Sequence, residues 1–480
     1  MELSFNRIGK RHGDAKLKGF CVALTILALV FASLRAHAQD PFTSELGSGG
    51  ASADSKKSQG RHSADKDAIP PSLSIPVTPL GFAPPAAFYL GDRFAQVSLN
   101  FLDENTLLFT FRVPGLIARE PVAPGEPLQD QRHIRALTLS LPEGKVTAEA
   151  LWVLHDYSRY LWVLKGGRFL LRDRNSIQIG DASLHLEPYL RFPGPVSLIE
   201  LDPEQSLLVA DTSEPPASDR TTESRDEREV DSASQSSAAA TIASNGRLDL
   251  DFQKAGTSTQ GLVRILDMDT RKVMLFSRVN GTVHLPVDGE GYYAALRGKE
   301  TNWMISFEHF KGASTPLGWV ESTCNPALEA LAPGVVLASA CTATGARRLT
   351  VLTRNREIEH ARLWDISLSP TKVWPLVEHS TDGLRLARAT LEVSHPIGPY
   401  SPLDDSDIRG QSVQVYDVST GKVELTVPAS PILDAGGNFA LSPSGKRFAV
   451  LYSGAIQIFD LPPPPPLPAQ LAFQANSPKP

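Results

Sequence analysis

The sequence predicts an all-β protein made of small antiparallel sheets, repeated along the chain and packed against one another in a ring. Three observations carry this. The stretch Phe439–Asp460, FALSPSGKRFAVLYSGAIQIFD, reads as strand, turn, strand, turn, strand, and weaker copies of its parts recur through most of the chain. Pro (38) and Gly (35) together make 15% of 480 residues, enough for many turns. Long helical patterns are hard to find after the N-terminus. A lone three-stranded meander buries little and needs copies of itself to pack against, which is the logic of repeat architectures.

Within that stretch, Phe439 and Leu441 are apolar at period two, and Ser442-Pro443-Ser444-Gly445 turns the chain. Pro sets φ at the first corner and Gly supplies a permissive backbone at the end. Phe448, Val450 and Tyr452 alternate with Ala449 and Leu451, Ser453-Gly454 turns again, and Ile456 and Ile458 continue the β-rich run. Loops this tight join antiparallel neighbours.

At the N-terminus, residues 1–38 read as an export signal. Arg7, Lys10, Arg11, Lys16 and Lys18 form a basic leader, Gly19–Leu34 an apolar core, and Ala36-His37-Ala38 an A-x-A site with cleavage between Ala38 and Gln39. The competing reading is an uncleaved membrane anchor, for which the segment is short. A periplasmic or secreted location follows from the first reading. Cleavage leaves 41 basic against 51 acidic residues, a mildly acidic balance that gives no reason to expect nucleic acid or an anionic membrane as partner. Residues 39–87 are expected as a disordered leader, because Thr43–Ile75 is rich in Ser, Gly, Asp and Lys and poor in large apolar residues.

The ring is expected over 88–463. One recurring unit is strand, polar turn, strand: LNFLDENTLLFTF (99–111), VSLIELDPEQSLLVAD (196–211), LPVDGEGYYAAL (285–296), HSTDGLRLARA (379–389) and ALSPSGKRFAV (440–450). A second is an alternating strand, an acidic or Ser/Pro turn, then Lys-Val opening the next strand: ALTLSLPEGKV (136–146), LVRILDMDTRKV (262–273) and VQVYDVSTGKV (413–423). Counting them gives units near 88–155, 156–193, 194–281, 282–321, 322–365, 366–429 and 430–463. Two run long because of insertions at 212–240 and 395–411; the others approach the about 40–45 residues of a four-stranded blade. The expected fold is therefore a β-propeller of about seven four-stranded blades. A strand from near Phe88–Phe94 is expected to complete the last blade, so that no long sheet edge is left open. The 212–240 run holds seven acidic and three basic residues and no aromatic, and reads as a disordered insertion. After LPPPPPLP, residues 464–480 read as a disordered Pro-rich tail, since successive prolines cannot donate to a sheet.

LSPSGKRFAVLYSGAIQIFD and VQVYDVSTGKV make the chain resemble the WD40-like and YVTN-type β-propellers of bacteria. In those proteins an S-P-D-G-K turn precedes a strand ending in A-V, and V-x-V-x-D-x-x-T-G-K closes a blade. Ser444 stands where that pattern has Asp, and Trp364-Asp365 alone resembles the WD40 Trp-Asp pair. The likeness is strong over 410–462. It implies a fold and a binding surface, and no common catalytic residues.

Cys324 and Cys341 flank Pro333-Gly334 between strand-like runs. An antiparallel pair turning at 333–334 brings them within two residues of register, a mismatch that a bulge or longer turn absorbs. An exported chain keeps a disulfide; two buried free thiols are the competing reading. No His or second Cys pair stands at metal-ligand spacing, and no metal or cofactor is expected. The G-x-S-x-G, H-E-x-x-H, phosphate-loop and C-x-x-C motifs are absent. Asp404-Asp405-Ser406-Asp407 offers clustered oxygens for Ca²⁺ but lacks the bidentate Glu of an EF-hand, and reads as a solvated loop. His155-Asp156 and His379 with Asp382 are candidate base and orienter pairs, both beside turns where Asp commonly bonds local backbone. Trp152, Trp162, Trp303, Trp319, Trp364 and Trp374 read as space-fillers between blades, with a central aromatic ring for a sugar or cofactor as the alternative. Arg347-Arg348, Arg385 and Arg388 read as solvated. The functional expectation is an exported, monomeric, non-catalytic scaffold binding a protein or another ligand. The alternative is a hydrolase or lyase with polar residues at the channel mouth. Carboxylates or histidines meeting there would keep the second reading alive.

Overall fold

The strand Arg447–Tyr452 is buried at its four middle positions, on both faces at once. A sheet that is covered on both faces needs a neighbour on each side, and a ring supplies both. The structure is a computed structural model that describes residues 69–83, 97–113, 118–119, 130–155, 159–213, 260–280, 283–343, 347–354, 361–368, 376–395, 405–433 and 437–464. Ala38, Gln39 and the rest of the signal, the leader up to residue 68, most of the 212–240 insertion and the tail from 465 lie outside these residues.

Among the described residues the strands form seven antiparallel sheets, and the helical elements are the short 3-10 turns Thr78–Leu80 and Asp405–Asp407. Blade 1 holds Val97–Asp103, Thr106–Arg112, Asp130–Ser140 and Lys145–Leu154, with the two-residue strand Ala118–Arg119 also paired to its third strand. Blade 2 holds Leu161–Leu164, Arg168–Asp173, Ser176–Gly180 and Leu186–Arg191. Blade 3 holds Val196–Leu201, Leu207–Ser213, Gln260–Asp267 and Val273–Asn280; blade 4 holds Val287–Asp288, Gly291–Arg297, Asn302–His309 and Ser314–Glu321. Blade 5 holds Ala327–Ala332, Val335–Cys341, Arg347–Thr353 and Ala361–Leu368; blade 6 holds Leu376–His379, Arg385–Val393, Ile408–Asp417 and Val423–Pro428. Blade 7 holds Phe439–Leu441, Arg447–Tyr452 and Ala455–Asp460, completed by Leu73–Pro76. The chain is a seven-bladed β-propeller; the blades follow the seven units read from the sequence, except that blade 5 runs past its unit to Leu368 and blade 7 takes its last strand from Leu73–Pro76.

The hydrophobic core is not one mass but seven seams, each drawn from two consecutive blades. Leu108, Ile134, Trp152, Phe169 and Leu171 join blades 1 and 2; Leu170, Ile177, Ile199 and Leu208 join 2 and 3. Val209, Val263, Val287 and Tyr292 join 3 and 4; Tyr293, Phe307, Val336 and Ala338 join 4 and 5. Leu337, Val351, Leu386 and Tyr416 join 5 and 6; Val413, Val415, Phe448 and Val450 join 6 and 7. The seventh seam packs Phe109 and Leu137 of blade 1 against Ala449 and Ile458 of blade 7, with Ile75 among them.

Two turn designs repeat, as the motifs predict. In the first, the N–H of Asp202, Ser380 or Ser442 donates to the carbonyl five residues on (Leu207 3.2 Å, Arg385 3.0 Å, Arg447 2.9 Å). That residue's N–H donates back to the side-chain oxygen at 2.7, 3.0 and 3.0 Å. These turns link the first and second strands of blades 3, 6 and 7. Asp and Ser are interchangeable here because one oxygen acceptor is all the turn needs. In the second design, Asp267 and Asp417 each accept from a Thr three residues on, backbone N–H at 2.7 Å and hydroxyl at 2.8 Å. The residue after that Thr has positive φ, 59° for Arg271 and 69° for Gly421.

Two expectations are corrected. The closing strand is Leu73–Pro76, not a segment near 88–94, so ordered structure begins inside the span assigned to the leader. It pairs Leu73 with Ile458 and Pro76 with Ala455 as the outermost strand. Such an edge strand bonds on one side only and tolerates Pro at its end, which is why a Pro-flanked LSIP suffices. The basic residues are not all solvated either: Arg385 is 0%, Arg388 2% and Arg347 9% exposed. Strand runs to Ser213 at the start of the first insertion, and the second gives way to strand at Ile408.

Cys324 and Cys341 are paired as a disulfide, with Cα atoms 5.5 Å apart. The register Ala327↔Ser339, extended outward, sets Cys324 opposite Thr342 and next to Cys341; the shift between Ala330 and Ala332 takes up one of the two residues of mismatch.

Candidate functional site

The first strands of the blades, with the residues next to them, surround one central cavity of about 560 Å³, and every blade contributes to its wall. Blades 7 and 1 give an apolar arc, Ala440, Leu441, Leu99 and Phe101. Blade 2 gives Arg159 and Trp162. Blades 3 to 6 give Glu200, Asp202, His284, Glu329, Glu378 and His379. The apolar-to-charged asymmetry around the ring is what an oriented ligand needs.

Most of the charged wall groups can be traced to their partners. Glu200 Oε2 accepts from the Leu285 N–H at 2.9 Å, and its Oε1 pairs with His284 Nδ1. The Glu200 charge outweighs burial and pushes His284 up to about 9, so the half-exposed imidazole is protonated at neutral pH. Asp202 is buried, its oxygens taken by the Leu207 N–H at 2.7 Å and the Ser206 hydroxyl at 2.9 Å. Burial still lifts its carboxyl above the usual range. Arg172 Nη1 donates to the carbonyls of Val196 (2.7 Å) and Ser197 (3.2 Å). Arg159 donates to Leu161 O at 3.1 Å while its guanidinium stands 5.5 Å from the Trp162 ring centre. Desolvation, opposed by His379 and reinforced by Glu378, holds the Glu329 carboxyl above its ordinary value.

The sequence candidates fare unevenly. His379 reaches the cavity, but Asp382 does not serve it: Asp382 accepts from the Ser380 hydroxyl (2.6 Å) and the Leu384 N–H (3.0 Å), while His379 Nδ1 lies 3.0 Å from Ser380 O. His155 pairs instead with Asp173, Nδ1 to Oδ2 at 2.8 Å, away from the cavity wall; Asp156 lies outside the described residues. Of the tryptophans, Trp162 lines the cavity. Trp152 stacks near Phe169 at 5.6 Å, Trp303 donates to Ser322 O at 3.0 Å, and Trp319 is 52% exposed. The side chain of Trp364 and all of Trp374 lie outside the described residues. In the acidic loop, Asp407 stands 3.6 Å from His395 Nδ1 and Asp404 lies outside the described residues. Among the described residues, no cluster of three or more His, Cys, Asp or Glu is placed to hold a metal ion. Glu200, His284, Glu329 and Glu378 went unread in the sequence. They come from four blades, and no local spacing links them.

Fold and site together define a β-propeller with a polar, one-sided central cavity. No family model matches the sequence, and no curated protein is similar to it. Solved structures of similar fold include the WD40 domain of Toxoplasma gondii coronin, at 10% identity and TM-score 0.41, covering 84% of this chain and 92% of that one. A chain of the mitotic checkpoint complex matches at 12% identity and TM-score 0.40, covering 87% and 99%. The acylaminoacyl peptidase of Pyrococcus horikoshii matches at 10% identity and TM-score 0.42, covering 79% of this chain and 54% of that one. Likeness at this level concerns the fold and carries nothing about activity.

Proposed function

We propose that the protein is an exported binding propeller whose ligand site is the central cavity. The observation that carries this is the cavity itself: about 560 Å³, walled by all seven blades, apolar on one arc and charged on the other. That size and mixture suit a small ligand. Export is supported by the signal-like residues 1–38 and by the Cys324–Cys341 disulfide. The test is a melting-temperature screen of a small-molecule panel against the mature protein and Thr381→Trp, which fills the cavity from blade 6. Compounds that stabilise the parent but not the variant support the reading, since a ligand bound only to the folded state raises stability by mass action. A panel that shifts neither, or both equally, overturns it. N-terminal sequencing of the exported protein should begin at Gln39; retention of Met1 would remove the cleavage step.

A propeller enzyme at the same mouth is the second reading, favoured by one observation, the Glu200–His284 pair in the cavity wall. A carboxylate-held imidazolium is a general-acid arrangement. Turnover of a hydrolase or lyase panel that disappears in His284→Ala would establish it; no turnover would discard it.

A further inference from the structure

The cavity has an imbalance of unpaired charge. Its basic groups are engaged: His284 by Glu200, Arg172 by two carbonyls, Arg159 by Leu161 O and the Trp162 ring, and His379, with Nδ1 at 3.0 Å from Ser380 O, which also favours the charge on Glu329. Glu200 and Asp202 are engaged too. Glu329 and Glu378 are different. They enter the same cavity from the neighbouring blades 5 and 6, and among the described residues neither accepts a hydrogen bond or closes an ion pair. Resting on the reading of the cavity as a ligand site, we propose that it takes a small organic cation, an ammonium or guanidinium on an apolar stem, with the charge held between Glu329 and Glu378.

Three features fit that class. A planar guanidinium or an ammonium has several donors and no acceptor, so it satisfies two carboxylates at once. The apolar arc of Leu441, Ala440, Leu99 and Phe101 adjoins blade 6 and offers the stem a dry wall. Glu329 is set deep in the wall yet open to the cavity, and its like-charged neighbour Glu378 adds to the cost of its ionisation. An arriving cation relieves both the desolvation and the repulsion. An anion meets two unpaired carboxylates.

The experiment is titration calorimetry of the mature protein at low salt with hexylamine and, as a matched anion, hexanoate. Hexylamine binds and hexanoate does not. Glu329→Gln and Glu378→Gln each weaken hexylamine by roughly tenfold or more, the loss of one charge-assisted contact. Neither variant is expected to unfold, because neither carboxylate holds a hydrogen bond or a close ion pair, and circular dichroism checks this. Glu143→Gln, on an exposed turn, leaves binding unchanged. No hexylamine binding, a preference for hexanoate, or hexylamine affinity unchanged from the parent in both Gln variants overturns the cation assignment. A hexanoate preference that Thr381→Trp abolishes would leave the cavity as a ligand site of another class, whereas amine binding that Thr381→Trp leaves intact sinks both readings.

Discussion

Arg385 ties blade 6 to blade 7, and removing it is a direct test of how the ring is held. The side chain is 0% exposed. Its Nε donates to Glu424 Oε2 at 2.6 Å and its Nη2 to Oε1 at 3.2 Å, a two-pronged pair within blade 6. Across the seam, Nη1 donates to Gly445 O at 2.7 Å and Nη2 to Pro462 O. Arg385→Met keeps the apolar stem and deletes every one of these bonds. Breaking a buried pair by removing one partner costs about 3–5 kcal/mol, because the other charge is left uncompensated. The Glu424 side chain keeps 13% exposure, so water recovers part of the loss and the lower end, about 3 kcal/mol, applies. Glu424→Gln keeps an acceptor for Nε and both carbonyl contacts; its cost is about 1–2 kcal/mol. Combining Arg385→Met with Glu424→Gln leaves no stranded charge and should recover at least about 1.5 kcal/mol of the summed single losses. Equilibrium urea unfolding followed by tryptophan fluorescence, with unchanged denaturant slopes, reads all four proteins. Arg385→Met within about 0.5 kcal/mol of the parent, or purely additive losses, would refute the staple.

The Cys324–Cys341 bond closes a separation of 17 residues; Cys324→Ala with Cys341→Ala should cost about 3 kcal/mol in the chain-entropy treatment. Denaturant midpoints measure it, and thiol titration of the unreduced mature protein should find no free thiol. Ile75, 6% exposed in the seam that closes the ring, should cost about 2–3 kcal/mol as Ile75→Ala, read in the same unfolding assay; no change would mean that the strand Leu73–Pro76 does not lock blade 7. Glu329→Gln should raise stability near neutral pH. The folded carboxyl is held above its ordinary value by desolvation, so the parent carries its full proton-linked stability only below the unfolded range and loses it as pH rises through the folded value. The variant's melting advantage should therefore shrink as pH falls to about 4; an advantage that grows on acidification would contradict the assigned shift.

The strand and turn pattern was legible because it is local. ALSPSGKRFAV and HSTDGLRLARA each carry, within a dozen residues, the apolar spacing of two strands and the oxygen acceptor their turn requires, and both fold as read. The same is true of the Asp-x-x-Thr turns after Asp267 and Asp417. The disulfide was legible too, since a hairpin's register follows from its turn. The need for a ring followed from small sheets with two apolar faces. What the chain order could not convey was which distant pieces meet. The closing strand had no pattern strong enough to claim its place, because an edge strand gains its order from a partner nearly four hundred residues away. Arg385 looked like any surface arginine until Glu424 and the blade 7 carbonyls surrounded it. The cavity is the extreme case: Glu200, His284, Glu329 and Glu378 belong to four blades, and their charges come to interact only because the circle closes. Local sequence determines each blade, while the balance of charge at the axis is a property of all seven together and exists only in the folded ring.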